Sequence, residues 1–198
     1  EAKNGLFMFD RNYMDYHRDR YIDHSLLFMK GDMVVALMPA NEDNGELVSH
    51  GWLTYGGLIL DGKAKQHTVN ECFDVMCNYL KMQKMEKIRY KTVPHIYHKQ
   101  PSEEDKYALY RNRAELVESY TSTVVNLKDP LKMPKGRKAQ ISRAKREGVE
   151  IRKLEGREDY ESFIELENNV LESRHHVRAV HSADELYLLH SRFPQNIH

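Results

Sequence analysis

The sequence predicts a mixed α/β fold. It reads as a central sheet flanked by helices, followed by a mostly helical stretch that opens a second domain. Three observations carry this. Strand-length apolar runs alternate with strongly periodic helical segments as far as residue 127. Apolar residues are 40% and charged residues 30% of the 198, which suits a packed core and argues against disorder. After Leu127 the strands give way to prolines, a basic run and helical patterns.

The elements follow in order. Phe9–Arg20 is polar and aromatic and reads as a helix. Gly31-Asp32 is a turn signal between two apolar runs, so Ser25–Met29 and Met33–Met38 form a hairpin. Leu47–Leu60 supplies one or two further strands, interrupted by Gly51, Gly56 and Gly57. Glycine inside a strand marks a bulge or a close approach to the backbone. Val69, Cys72, Phe73, Met76, Tyr79 and Leu80 recur at spacings of three and four, the mark of an amphipathic helix. Lys87–Pro94 alternates as a short strand. Pro101 and Ser102, with acids just after them, open a helix. Val117–Leu127 reads as another strand.

Beyond it, residues 128–136 form a linker with two prolines and a glycine. A short basic helix follows, closed by Gly148. Val149–Leu154 alternates as a strand, helical spacing resumes from Asp159, and Ser182 begins a last helix. The expected division is a first domain over 1–127 and the opening of a second over 128–198, with further strands after His198.

Charge is uneven although the net is zero. Lys128–Arg157 holds 11 basic and 4 acidic residues, whereas 158–198 holds 8 acidic and 3 basic ones. No apolar run approaches the roughly 18 residues that span a bilayer, so no membrane insertion is expected. Cys72 and Cys77 point to different faces of one helix. They read as reduced thiols, hence a cytoplasmic protein. His175, His176 and His181 do not share a helical face, and no metal is expected there. Tyr79, Tyr90, Tyr97, Tyr107 and Tyr110 read as half-buried packing.

Three stretches taken together resemble a known family: S-H-G-W-L-T-Y-G-G-L-I-L (Ser49–Leu60), G-R-K-A-Q-I-S-R-A-K-R-E-G-V-E-I (Gly136–Ile151) and S-R-H-H-V-R-A-V-H-S-A-D-E-L-Y-L-L-H-S-R-F-P (Ser173–Pro194). They resemble bacterial members of the GNAT superfamily of N-acyltransferases, in its FemAB-like branch. The resemblance implies two GNAT-like domains in tandem. It implies acyl or aminoacyl transfer to an amine acceptor, either a small molecule or a cell-wall precursor. The donor would be acyl-CoA or an aminoacyl-tRNA. In that family a broken central strand opens a slot for the donor's pantetheine arm, and a loop of pattern R/Q-x-x-G-x-G/A binds the pyrophosphate through backbone N–H groups. Here the loop reads D-G-K-A-K-Q-H-T, with Gly62 its only glycine. That departure implies that the cradle belongs to the second domain.

The candidate site residues each carry two readings. Gly56 and Gly57 are either a bulge that curves the sheet or backbone that a ligand touches. His50 is either a buried, hydrogen-bonded histidine or a base for the amine, since histidine titrates near neutrality as a class. Tyr55 is either a core tyrosine or the acid that protonates the leaving group. Arg137, Lys138, Arg143, Lys145 and Arg146 fan over one broad arc, with Ile141 and Ala144 as the narrow apolar stripe. That arc is either a solvated face or an anion site for a nucleotide-linked precursor or a tRNA acceptor stem. Aromatics for base stacking are absent from this segment, which weighs against single-strand recognition. Two other functions stay open: a non-catalytic GNAT-like module that binds an anionic acceptor or a protein partner, and a nucleic-acid-binding protein using 128–157.

Overall fold

A computed structural model describes the chain from Glu1 to His198, apart from Trp52 and the side chain of His17. The chain divides into two compact units, Glu1–Ala114 with Ser191–Asn196, and Glu115–His190 with Ile197–His198. The expected seam at 127/128 thus lies inside the second unit. Among the described residues there are six α-helices and two small sheets, a mixed α/β composition.

The first unit begins with α1 (Arg11–Met14), a single turn between two 3-10 turns at Phe7–Phe9 and Asp15–His17. Asp10 caps α1 by accepting from the Asn12 amide at 2.8 Å. One continuous helix over 9–20 is therefore not formed. Only Met14 of α1 is buried, so the segment has no apolar stripe to hold a longer helix against a core.

Seven strands follow: β1 (Ile22–Asp23), β2 (Leu26–Lys30), β3 (Met33–Met38), β4 (Asn41–Asp43), β5 (Glu46–Val48), β6 (Ile59–Leu60) and β7 (Lys87–Arg89). One sheet has the order β1-β4-β5-β7 and the other β2-β3-β6. β2 and β3 form the expected hairpin about Gly31, with Lys30 opposite Met33 and Leu26 opposite Met38. Gly31 has φ +60°, which the tight turn requires. β5 and β7 run parallel and the other pairs antiparallel. β2 is an edge strand.

α2 (Gln66–Met82) lies where the periodicity places it and buries Val69, Cys72, Phe73, Met76 and Leu80. These pack with Phe28, Met38, Leu47, Leu58, Leu60 and with Ala108 of α3 (Glu104–Arg111). Each large apolar side chain buried here contributes about 1.5–3 kcal/mol. Tyr90 joins this cluster, but Tyr107 and Tyr110 are exposed, against the packing role expected of them.

The Leu47–Leu60 strand is split. β5 ends at Val48 and β6 begins at Ile59, and the described residues between them are not in strands. The expected strand over 87–94 is likewise short: β7 ends at Arg89, and the Lys91 amide donates to the Ser49 side chain rather than to a strand carbonyl.

The second unit contains α4 (Lys135–Arg146), α5 (Arg157–His175) and the greater part of α6 (Ala183–Arg192). Gly148 at φ +76° follows α4, and His176 at φ +56° ends α5 in the left-handed region. Ser182 and Glu185 form a reciprocal cap on α6: Ser182 Oγ accepts from the Glu185 amide, and Glu185 Oε2 accepts from the Ser182 amide. Tyr160 is buried, its ring 5.9 Å from that of Tyr187 and 5.8 Å from that of His190.

The strands expected at 117–127 and 149–154 are not formed. Both stretches have strand-type residues, but neither has a pairing partner, and Val117, Val124, Val149 and Ile151 are exposed. Strand propensity without a neighbouring strand has no ladder to join. Among the described residues no helix is long and apolar enough to cross a membrane.

Candidate functional site

A groove of about 610 Å³ lies in the first unit between the edge strand β2 and α2. Its apolar wall includes Leu26, Phe28, Val75 and Met76, and Tyr79 also lines it. The helical spacing that buries Cys72 and Met76 also brings Val75 and Tyr79 to the groove.

The Tyr79 hydroxyl lies 2.7 Å from Nε2 of His24. Nδ1 of the same imidazole lies 2.5 Å from Oε1 of Glu42. The sheet register builds this chain. The His24 amide bonds the Ala40 carbonyl at 2.9 Å, so Ala40 is opposite His24 and Glu42 is the diagonal neighbour on the same face. The two rings meet edge to face, with centroids 5.6 Å apart and planes at 74°. With the His24 proton on Nδ1, facing the carboxylate, Nε2 is the acceptor for the phenol. The arrangement fixes the direction of the Tyr79 O–H.

Cys72 also lines the groove. Burial, with a smaller contribution from Glu71, pushes its thiol up to about 11, so it is a poor nucleophile near neutral pH. At the groove's border Lys30 and Glu71 pair at 3.6 Å, both exposed. Among the described residues no three His, Cys, Asp or Glu side chains converge as a metal site would need.

The residues expected from the sequence lie elsewhere. His50 and Tyr55 sit in the loop between β5 and β6. His50 is buried, with φ +48°, and its carbonyl accepts from Lys91 Nζ at 3.3 Å. The Tyr55 ring is 5.3 Å from that of Tyr97, and a hydrogen bond to Tyr97 raises the Tyr55 phenol above its ordinary value. Neither residue is part of the groove lining.

What approaches Gly56 and Gly57 is the chain itself. A Cβ on Gly56 would lie 2.2 Å from the Ser49 carbonyl oxygen. At Gly57, with φ +77°, it would lie 2.6 Å from the Tyr90 ring and 2.7 Å from the Lys91 carbonyl oxygen. The close approach inferred from the sequence is present, but Ser49, Tyr90 and Lys91 supply it rather than a ligand. Lys91 Nζ donates to the carbonyls of Gly51 and Leu53, each at 2.9 Å, and the Lys91 amide donates to Ser49 Oγ at 2.7 Å.

The turn ahead of α2 is fastened in the same way. Lys3 is buried, and its Nζ donates at 2.6 Å to both the Ala64 carbonyl and Glu104 Oε1. The Gly62 amide donates to the Glu1 carbonyl at 2.9 Å.

Arg137, Arg143, Lys145 and Arg146 all lie on α4 in the second unit and are exposed. Arg143 pairs with Glu147 at 2.7 Å, and Arg137 donates to Gln140 at 3.0 Å. α4 thus keeps the basic arc that its spacing implies.

Nothing in the sequence pattern marks His24 or Glu42, and the periodicity of α2 gives Tyr79 a packing role. The three come from a strand junction, a strand and a helix, and no local motif joins them. The available signal was the helical spacing that puts Tyr79 beside the apolar face of α2.

No family model, curated protein or solved structure matches the chain.

Proposed function

We propose that the protein is an N-acyltransferase of GNAT type, FemAB-like, which transfers an acyl or aminoacyl group to an amine acceptor. The observation that carries this reading is the groove between β2 and α2, whose lining includes Tyr79, a phenol oriented by an imidazole. Such a groove suits a substrate with an apolar stem and a nucleophilic head. The suppressed Cys72 thiol favours direct attack by the acceptor over a cysteine-bound intermediate. Transfer of this kind works mainly by positioning the reactants and stabilising the oxyanion.

In this reading the first unit receives the acceptor. The pyrophosphate of acyl-CoA, or the acceptor stem of an aminoacyl-tRNA, binds elsewhere in the protein, with the basic arc of α4 as the anion site. The free cysteines fit a reducing compartment such as the cytoplasm. The test is incubation of the protein with acyl-CoA or charged tRNA and a panel of amines, including cell-wall precursor amines, with mass spectrometry of the products. An amide product is expected. Absence of amide with every donor and acceptor would overturn the proposal.

One feature favours a second reading, a non-catalytic GNAT-like module that binds an anionic acceptor or a protein partner. The space before Gly56 and Gly57 is filled by Ser49, Tyr90 and Lys91. Saturable binding of an anionic acceptor without turnover in the same assay would select it.

A further inference from the structure

We propose that Tyr79, His24 and Glu42 form a proton relay that activates a primary amine on an apolar stem, seated in the groove between β2 and α2. This rests on the acyl-transfer reading and assigns the acceptor site within it.

Three observations converge. The hydrogen bonds are contiguous, at 2.7 Å from phenol to imidazole and 2.5 Å from imidazole to carboxylate. The relay is shielded from solvent on its inner side, since the His24 side chain is only 13% exposed, while Glu42 at 35% keeps partial access to water. The outer member, Tyr79, is the one that lines the groove. A packing tyrosine needs one hydrogen-bond partner for its hydroxyl. It does not need that partner to be a histidine backed by an acid.

The acceptor enters as an ammonium. Its N–H donates to Tyr79 Oη while the Tyr79 proton moves to His24 Nε2. The resulting imidazolium faces Glu42. The freed nitrogen lone pair forms the C–N bond to the donor's thioester or ester carbonyl, and the C–S or C–O bond breaks. The leaving sulfur or oxygen takes the second nitrogen proton, and His24 returns its proton to water. Tyr79 is the catalytic residue, because it alone of the three touches substrate. His24 and Glu42 act through it. The ionisable side chains bonded to His24 are Glu42 from β4 and Tyr79 from α2.

Two measurements test this on the whole chain. The first is titration of the protein, labelled with ¹⁵N in its histidines, with phenethylamine. The His24 ring signals should shift saturably in the wild type and stay still in Tyr79→Phe. The absence of a saturable shift in the wild type would overturn the relay whatever the transfer assay gives. The second is steady-state transfer to the same amine. Tyr79→Phe should lower kcat by about 10²-fold with KM for the donor unchanged. His24→Gln should likewise lower kcat with KM for the donor unchanged, whereas a purely structural histidine would leave kcat in place. Amide formation at wild-type rates by both variants would overturn the relay while sustaining acyl transfer. Saturable shifts with no amide from any donor would sustain the amine site and overturn acyl transfer.

Discussion

The hydroxyl of Tyr90 donates a 3.0 Å hydrogen bond to Oδ2 of Asp105, joining the segment after β7 to α3. The same oxygen accepts from the Leu58 amide at 2.7 Å. One buried phenol therefore fixes both the return of the 49–58 loop into β6 and the seat of α3. Burial pushes the Tyr90 phenol well above its ordinary range, with the Asp105 charge adding to the effect.

Tyr90→Phe keeps the ring volume but removes the hydroxyl, leaving the Leu58 amide and the Asp105 carboxyl without that partner. The expected loss is about 1–3 kcal/mol. Urea unfolding should show a lower midpoint at unchanged slope. A wild-type midpoint would show that neither group depends on Tyr90.

Gly57→Ala meets both a left-handed φ and the Tyr90 ring, and should destabilise by about 1–3 kcal/mol or more. Gly31→Ala is the control. Its φ is +60°, but nothing lies within 4 Å of the added carbon, so only the backbone cost of about 1–2 kcal/mol remains. Thermal unfolding of the two variants should place Gly57→Ala clearly lower.

Lys91→Met removes the cation that gathers the carbonyls of His50, Gly51 and Leu53. The loop should open while the α2 core persists. Limited proteolysis should then cut within 49–58 faster than in the wild type, and far-UV circular dichroism should be unchanged. An unaltered digestion pattern would show that Ser49 and Tyr90 hold the loop unaided.

Two carboxyls give opposite pH responses. The Arg152 guanidinium, 2.7 Å from Asp159, and the Glu155 amide hold the Asp159 carboxyl down to about 2, from an ordinary value of 3.8. A lowered native value means stability that is full above pH 3.8 and is lost as pH falls through about 2. Asp159→Asn should remove that slope from an acid titration of α5 helicity. For Asp105, burial raises the carboxyl, although the Tyr90 hydrogen bond opposes it. Its contribution is full at low pH and is lost as pH rises through the raised value. Asp105→Asn should therefore compare better with the wild type at pH 7 than at pH 4 in chemical unfolding.

Replacing both Arg143 and Lys145 by Glu reverses the basic arc of α4. Binding of tRNA or a nucleotide-linked precursor should be abolished, and wild-type binding should fall steeply with salt. Unchanged binding in the double variant would remove α4 from the anion site.

Much of the fold was set locally, and the sequence determined it. α2 follows from apolar residues at spacings of three and four, the β2–β3 hairpin from Gly31-Asp32, and the start of α6 from Ser182 with Glu185 three residues on. The glycines at 51, 56 and 57 correctly signalled a close approach. Tertiary structure decided what approached: the Asn41 side chain lies against Gly51, while Ser49 reaches Gly56, and Tyr90 and Lys91 reach Gly57, once β5 and β7 pair. It also decided which strand-like stretches became strands. Residues 117–127 and 149–154 carry strand-type side chains, but a strand is completed by hydrogen bonds to a neighbour, which its own sequence does not contain. The same reason hid the relay. His24, Glu42 and Tyr79 lie far apart in the chain, and only sheet register and the packing of α2 bring imidazole, carboxylate and phenol within hydrogen-bonding distance.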